Sequence, residues 1–363
     1  MAPFGKHADI VVHTDDPLNA GPPPRRLIES FLTPNDLFYV RNHGSVPDVT
    51  AADYRLSVNG LVRESLSLSL DDVRQFPAST VVATLQCAGN RRQQLMEHAP
   101  IPDELPWGDD AISTAEWTGA RLRDLLLAAG IQLEDGAHVA FTALDTVERL
   151  GERFGFGGSI PTARALQPDV LLAYAMNGEP LPAVHGFPLR VVVPGYIGAR
   201  CVKWLKEIRV QATPSENYFQ ARAYKLFPGW VNAETVDYAQ GMMLGESSVN
   251  ATICTPAADE PLSPGRVLIR GFAIAGLRAV ERVDVSADGG QTWSAAKLLP
   301  PLGQPAAWRF WQAEVDLAPG RHELVARAWD SAANTQPADV STVWNFKGYA
   351  NNAWHRVMVE VSA

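Results

Sequence analysis

The chain has 363 residues, 46% of them apolar and 20% charged, with a formal charge of −9; this is room for two domains and a sizeable core, and it disfavours non-specific nucleic-acid binding. The three cysteines, at 87, 201 and 254, are odd in number and form no CxxC pair, which gives no support to a disulfide framework, a zinc finger or c-type haem attachment and points to a reducing compartment. There is no signal-peptide core, no twin arginine and no apolar run of about 18 residues, so the expectation is a cytoplasmic protein with no membrane and no nucleic-acid partner.

In chain order, the first 25 or so residues are Pro-rich and polar and read as an extended arm. YRLSVNGLV, from Tyr54, alternates like a strand and ends on the Asn59-Gly60 turn signal. In RLRDLLLAAG, Leu122, Leu125, Leu126 and Ala129 recur at helical spacing, with Gly130 placed as a C-cap. AHVAFTAL, LRVVVPG and VKWLKEIRV are short β-rich runs, and this half has no regular βαβ alternation. It reads as α+β.

After about Lys225 the chain reads as strands alone: NATICT, RVLIRGFAIAG, AVERVDVSADGGQTWSAAKL, WRFWQAEVDL, HELVARAWDS, STVWNFKG and HRVMVEVSA. The DGG at 288–290 is a hairpin signal. With Trp293, Trp311 and Trp329 available for a core, the spacing predicts an immunoglobulin-like β-sandwich.

The chemistry concentrates in TLQCAGNRR, residues 84–92. A cysteine closing an apolar strand is most often an inert core residue. The residues after Cys87 change that balance. Ala, Gly and Asn allow a tight exit from the strand, and two adjacent arginines are costly to bury unless an anion meets them. A thiolate beside guanidinium groups is stabilised as nucleophile or metal ligand.

TLQCAGNRR resembles the molybdenum-binding segment of the sulfite oxidase family. The likeness continues through FYVRNH (38–43), AISTAEWTGARLRDLL (111–126), LLAYAMNGEPLPAVHGFPLRVVVPG (171–195), GARCVKWL (198–205), VDVSADGGQTW (283–293) and NAWHRV (352–357). It implies a sulfite oxidase-type molybdenum cofactor domain over 1–225 and an immunoglobulin-like dimerisation sandwich over 226–363, paired as a homodimer. The implied activity is oxygen-atom transfer from molybdenum, held as a molybdopterin (a pyranopterin dithiolene), to sulfite. Soft thiolate ligands suit such a metal.

Carried over position by position, the resemblance makes Cys87 the molybdenum ligand. Arg41 and Arg92 become the substrate-binding arginines, Tyr224 the active-site tyrosine and Trp107 the tryptophan lining the pocket, while Arg91 is left as a structural residue. For the pterin and its phosphate it implies Tyr39, Val40, Arg41, Asn42, His43, Asp145, His185, Arg190 and Lys203, with Cys201 and Val202 contributing backbone. Taken singly, these residues have plainer readings: His185 as a turn histidine, Lys203 as a solvated strand face, Trp107 and Tyr224 as core aromatics. Arg190 is the exception, because a charge inside an apolar strand needs a partner. Cys201 and Cys254 read as buried thiols, and the Gly-rich FGFGGSIP is weak evidence for phosphate binding.

Three departures from the family pattern stand out. Ala223 precedes the tyrosine where animal-type members carry Asp. Lys347, in WNFKG, replaces an arginine of the substrate pocket, keeping the charge but not the paired-donor geometry. No haem b5-like domain precedes residue 38, so electrons are expected to leave to oxygen or to an external cytochrome. Two rivals remain at this level: the molybdenum module of a nitrate reductase, and a non-catalytic immunoglobulin-like interaction protein.

Overall fold

The computed structural model describes residues 3–301 and 305–362. Two five-stranded sheets build the first unit. One runs Gly157–Pro161, His138–Ala143, Leu205–Gln211, Leu56–Gly60, Leu66–Leu68 in spatial order, with Leu205–Gln211 parallel to Leu56–Gly60 and its other pairs antiparallel. The other runs Glu179–Pro180, Leu171–Met176, Ile112–Arg121, Ala78–Gln86, with Arg190–Val192 also on Leu171–Met176. A single apolar core, from Tyr54 through Trp117 and Phe141 to Ile208, lies between the sheets and the short helices. The predicted helix is present as Leu122–Ala128, burying Leu122, Leu125 and Leu126, and Gly130 adopts φ +67° just beyond its end. A side chain at that φ would be strained, so the C-cap reading holds.

The N-terminal segment differs from expectation. Val11–Asp15 and Leu18–Gly21 form a hairpin that pairs with Val40–Arg41, and all of Leu18–Gly21 is buried. High proline content suggested an arm, but Leu18 and Ala20 pack with Val40 and Val184, and that burial anchors the segment.

Two four-stranded sheets form the second unit: Asn250–Thr255, Gly265–Ile274, Arg309–Leu317, Lys297–Leu298, and Ser294–Ala295, Val280–Ser286, Gly320–Asp330, His355–Val361. Ala363, the last residue of the run HRVMVEVSA, lies outside the described residues. The DGG hairpin is present, since Asp284 and Val285 pair with Ala295 and Ser294. Its second arm then crosses the sandwich, and Lys297–Leu298 joins the opposite sheet. Trp311 sits in the core, whereas Trp293 and Trp329 lie outside it, stacked on the Arg327 guanidinium at 3.7 and 4.8 Å. Cation–π attraction to Arg327 keeps them there.

STVWNFKG is not a strand. It holds a short 3-10 turn, Val340–Thr342, followed by irregular chain. Its polar groups bond across to the first unit instead: Trp344 Nε1 donates to Ala99 O at 3.1 Å, and Arg92 Nε donates to Gly348 O at 3.1 Å. The expected boundary at 225/226 falls inside the strand Lys225–Leu226, which pairs with Met242–Met243. Leu244 packs with Phe219 and Tyr224, and the first sandwich strand starts at Asn250.

Candidate active site

Cys87 follows directly on the strand Ala78–Gln86, and a tight turn leads from it into the helix Arg92–His98. Asn90 N–H donates to Cys87 O at 3.0 Å, and Asn90 Oδ1 accepts from Ala111 N at 2.9 Å. Arg91 takes φ +64°. Gly89 is required, because a Cβ there would stand 2.4–2.7 Å from the Arg92 guanidinium. The turn thus places the thiol in the wall of a cavity, with Gly89 N 3.4 Å from Sγ.

The same cavity is lined by Tyr39, Arg41, Asn42, His43, Asp145, His185, Arg190, Cys201, Lys203 and Tyr224. These come from six sequence segments, all of them predicted here. Val40 and Val202 turn their side chains into core clusters instead. Trp107 is fully buried behind the site, packed edge-on to His13 at 4.5 Å, and does not line the cavity. The expectation for Trp107 came from its place before AIST, which fixes neighbourhood but not facing.

Arg190 donates through Nη1 to His185 O (2.8 Å) and through Nη2 to Cys201 O (3.0 Å), and lies over the Trp117 ring. Its Nε has no partner. Lys203 donates to Val184 O at 3.0 Å and to Asn42 Oδ1, while Asn42 Nδ2 is left without a partner. Burial, then repulsion from Arg190, holds the Lys203 amine well below the usual lysine range. Asp145 accepts from Phe156 N at 2.8 Å, and burial raises its carboxyl. Burial, reinforced by neighbouring cations, holds His43 and His185 well below the usual histidine range, so both are neutral.

A chain of hydrogen bonds orients the tyrosine. Arg41 Nη1 donates to Asn19 Oδ1 (3.0 Å) and Nη2 lies 3.3 Å from His43 Nδ1. A guanidinium only donates, so Nδ1 accepts and the proton sits on Nε2, 2.8 Å from Tyr224 Oη. Nε2–H then donates to the phenol oxygen, and the phenol hydrogen is left to meet a ligand. Ala223, where an acidic neighbour was absent from the sequence, is buried beside Phe219 and Tyr224, and His43 acts as the polar partner of Tyr224.

A wider vestibule adjoins the cavity and shares Arg41 and His43 with it; Glu104, Lys347 and Tyr349 line it. Lys347 reaches this vestibule rather than the cavity and pairs with Glu104 at 2.6 Å. Arg92 is buried beneath it. Its Nε and Nη1 donate to the carbonyls of Gly348 and Leu105, and Nη2 lies 3.5 Å from the same Glu104. Arg91 turns the other way, donating to Asn250 Oδ1 at 2.7 Å and Trp354 O at 3.3 Å, which is a structural role.

Sequence reasoning missed Glu104, Tyr349 and Lys6. Lys6 Nζ donates to the carbonyls of Asn35 and Phe38 and lies 2.7 Å from His185 Nε2. Glu104 and Lys6 come from stretches with no motif of their own, and Tyr349 follows WNFKG without standing out, so only tertiary placement reveals them.

These residues fit a molybdenum–pyranopterin group. Among the described residues no cluster of three His, Cys, Asp or Glu side chains gathers to hold a metal, so Cys87 suits a metal that brings its other ligands. Lys203, Arg190 and Arg41 supply cations for a phosphate. The orphaned donors of Asn42 and Arg190 need acceptors, and the Asp145 carboxylate can accept from a pterin N–H.

The comparisons agree with this donor set. The family described as oxidoreductase molybdopterin binding domain matches residues 43–219, and the Mo-co oxidoreductase dimerisation domain matches 242–362. Together they define a two-domain molybdenum-cofactor oxidoreductase. The mitochondrial sulfite oxidase of Homo sapiens is 47% identical, covering 98% of this chain and 67% of that protein. The sulfite oxidase of Arabidopsis thaliana is 40% identical over 98% of this chain and 95% of its own. The sulfane dehydrogenase SoxCD of Paracoccus pantotrophus superposes with a TM-score of 0.81 at 25% identity, covering 96% of this chain and 88% of that one. The chain belongs to the sulfite oxidase family.

Proposed function

We propose that the protein oxidises sulfite to sulfate: sulfite and water give sulfate, two protons and two electrons. When bound at Cys87, the molybdenum–pyranopterin group supplies the oxygen atom that sulfite gains and takes up its two electrons. The chain's own residues do the rest. Arg41 and Lys347 attract and hold the oxyanion at the mouth of the cavity, with the charge of the buried Arg92 beneath them. Tyr224, fixed by His43, donates its hydroxyl hydrogen to an oxygen of the substrate. Arg190, Lys203, Asp145 and the His185 segment hold and orient the cofactor. The carrying observation is Cys87 opening into a cavity that shares Arg41 and His43 with a vestibule reached by Lys347.

The dimerisation-domain match supports a homodimer joined through the sandwich. The electrons pass to oxygen or to an external carrier such as a cytochrome. The test is metal analysis of the purified protein joined to a sulfite-dependent ferricyanide reduction assay. About one molybdenum per chain with sulfite-dependent turnover is expected. Metal without turnover on sulfite, but with nitrate reduction, would replace this reading with a nitrate reductase.

A further inference from the structure

Glu104 is the one carboxylate in the substrate vestibule that touches two of its cations. Oε1 lies 2.6 Å from Lys347 Nζ and Oε2 lies 3.5 Å from Arg92 Nη2. Arg92 has already committed Nε and Nη1 to the carbonyls of Gly348 and Leu105, so Nη2 is its remaining donor edge. A substrate oxyanion reaching Arg92 and Lys347 therefore meets donors that a carboxylate holds. Glu104 stands in irregular chain between the helix Arg92–His98 and the strand Ile112–Arg121, with its side chain 15% exposed. It already lines the vestibule, and moving its side chain aside unmakes no helix or sheet.

We propose that Glu104 is a built-in anion that competes with substrate and product for Arg92 and Lys347. An incoming oxyanion displaces the carboxylate, and the returning carboxylate displaces sulfate. Displacing the carboxylate costs the same for any incoming oxyanion, so Glu104 weakens retention of all of them. It is a positioning residue, acting through two cations rather than on the reacting atoms. The proposal rests on the assignment of Arg92 and Lys347 to the oxyanion receptor.

Glu104→Gln keeps the shape and removes the charge. Sulfate binding to the purified enzyme, read by titration calorimetry, should tighten about two- to fivefold, the range for losing one partly solvated charge. The Michaelis constant for sulfite should fall by a similar factor while kcat does not rise. Glu104→Asp, which restores the charge, should return both toward wild type. Lys347→Met separates the two levels of the argument. If it leaves sulfate binding and sulfite kinetics unchanged, Lys347 is outside the receptor and the reading beneath the proposal fails. If Lys347→Met weakens sulfate binding yet Glu104→Gln and Glu104→Asp both bind it as wild type does, the receptor stands and the competition by Glu104 is refuted.

Discussion

Arg91 and Arg92 are neighbours in sequence with opposite assignments, and Arg91→Met separates them. The Arg91 side chain is fully buried, with Nη1 on Asn250 Oδ1 at 2.7 Å, Nη2 on Trp354 O at 3.3 Å, Nε and Nη2 on Gln94 Oε1, and Asp109 at 3.7 Å. Methionine fills similar space but leaves Asn250 Oδ1 unpaired and Asp109 with only His355 at 3.1 Å. Hydrogen bonds from a charged group contribute about 1.5–3 kcal/mol each, against which the buried guanidinium's desolvation is recovered. That desolvation is visible in Arg91 itself, whose pKa burial lowers to about 10 despite Asp109. Breaking a buried ion pair by removing one partner costs about 3–5 kcal/mol net. With an unfolding entropy of about 2.1 cal/mol/K per residue, a loss of ~4 kcal/mol lowers the midpoint of a chain this size by ~5 °C if both units unfold together. Because Asn250 and Trp354 belong to the second unit, differential scanning calorimetry should also show the two units beginning to unfold separately. The Michaelis constant for sulfite should stay near wild type. A single transition within about 1 °C of wild type would refute the reasoning.

Cys87→Ser should abolish sulfite oxidation and lower bound molybdenum in a folded protein, whereas Cys201→Ser and Cys254→Ser should keep both; metal analysis and turnover check this. Tyr224→Phe removes the hydroxyl that His43 orients and should lower kcat by about a hundred- to a thousandfold, the scale of losing one transition-state hydrogen bond; an unchanged kcat would place the tyrosine outside the reaction. His43 and His185 are neutral when folded, because burial depresses their pKa values. The unfolded chain therefore takes up protons the folded one does not, and stability falls as pH drops below about 6.5, by ~1.4 kcal/mol per unit for each histidine. In urea titrations of the cofactor-free protein at pH 7, 6 and 5, His43→Gln should flatten that acid slope, and an identical slope would sink the assignment.

Much of the cavity was legible because its residues lie in compact motifs. CAGNRR carries part of its turn in its own residue types, the Asn90 side chain and the bare Gly89, whereas the left-handed φ of Arg91 is one that its residue type does not favour. Arg190 announced itself as a charge in an apolar strand. What escaped was assembled from distance. Glu104 in IPDELPW reads as a surface loop, and its meaning depends on Lys347, far along the chain. STVWNFKG has strand-like composition, yet its backbone and Trp344 bond to another unit and never enter a ladder. Trp293 and Trp329 have the composition of a core but lie against Arg327, a choice that hydrophobicity alone does not encode.

The crossing of residues 344–351 has a consequence in time. Ala350 N donates to Ala88 O at 2.7 Å, Asn351 Nδ2 donates to Arg91 O at 2.9 Å, and Tyr349 stacks on Tyr224 at 5.2 Å. The wall over the substrate side of the cavity is therefore made of chain that leaves the ribosome long after Cys87, Arg190 and Tyr224. At roughly 5–20 residues per second, the stretch from Tyr224 to Tyr349 takes ~6–25 s to synthesise. The substrate side of the cavity therefore cannot close until these late residues are made, and a chain cut before Trp344 would keep Cys87, Arg190 and Tyr224 but lose Tyr349 from its vestibule.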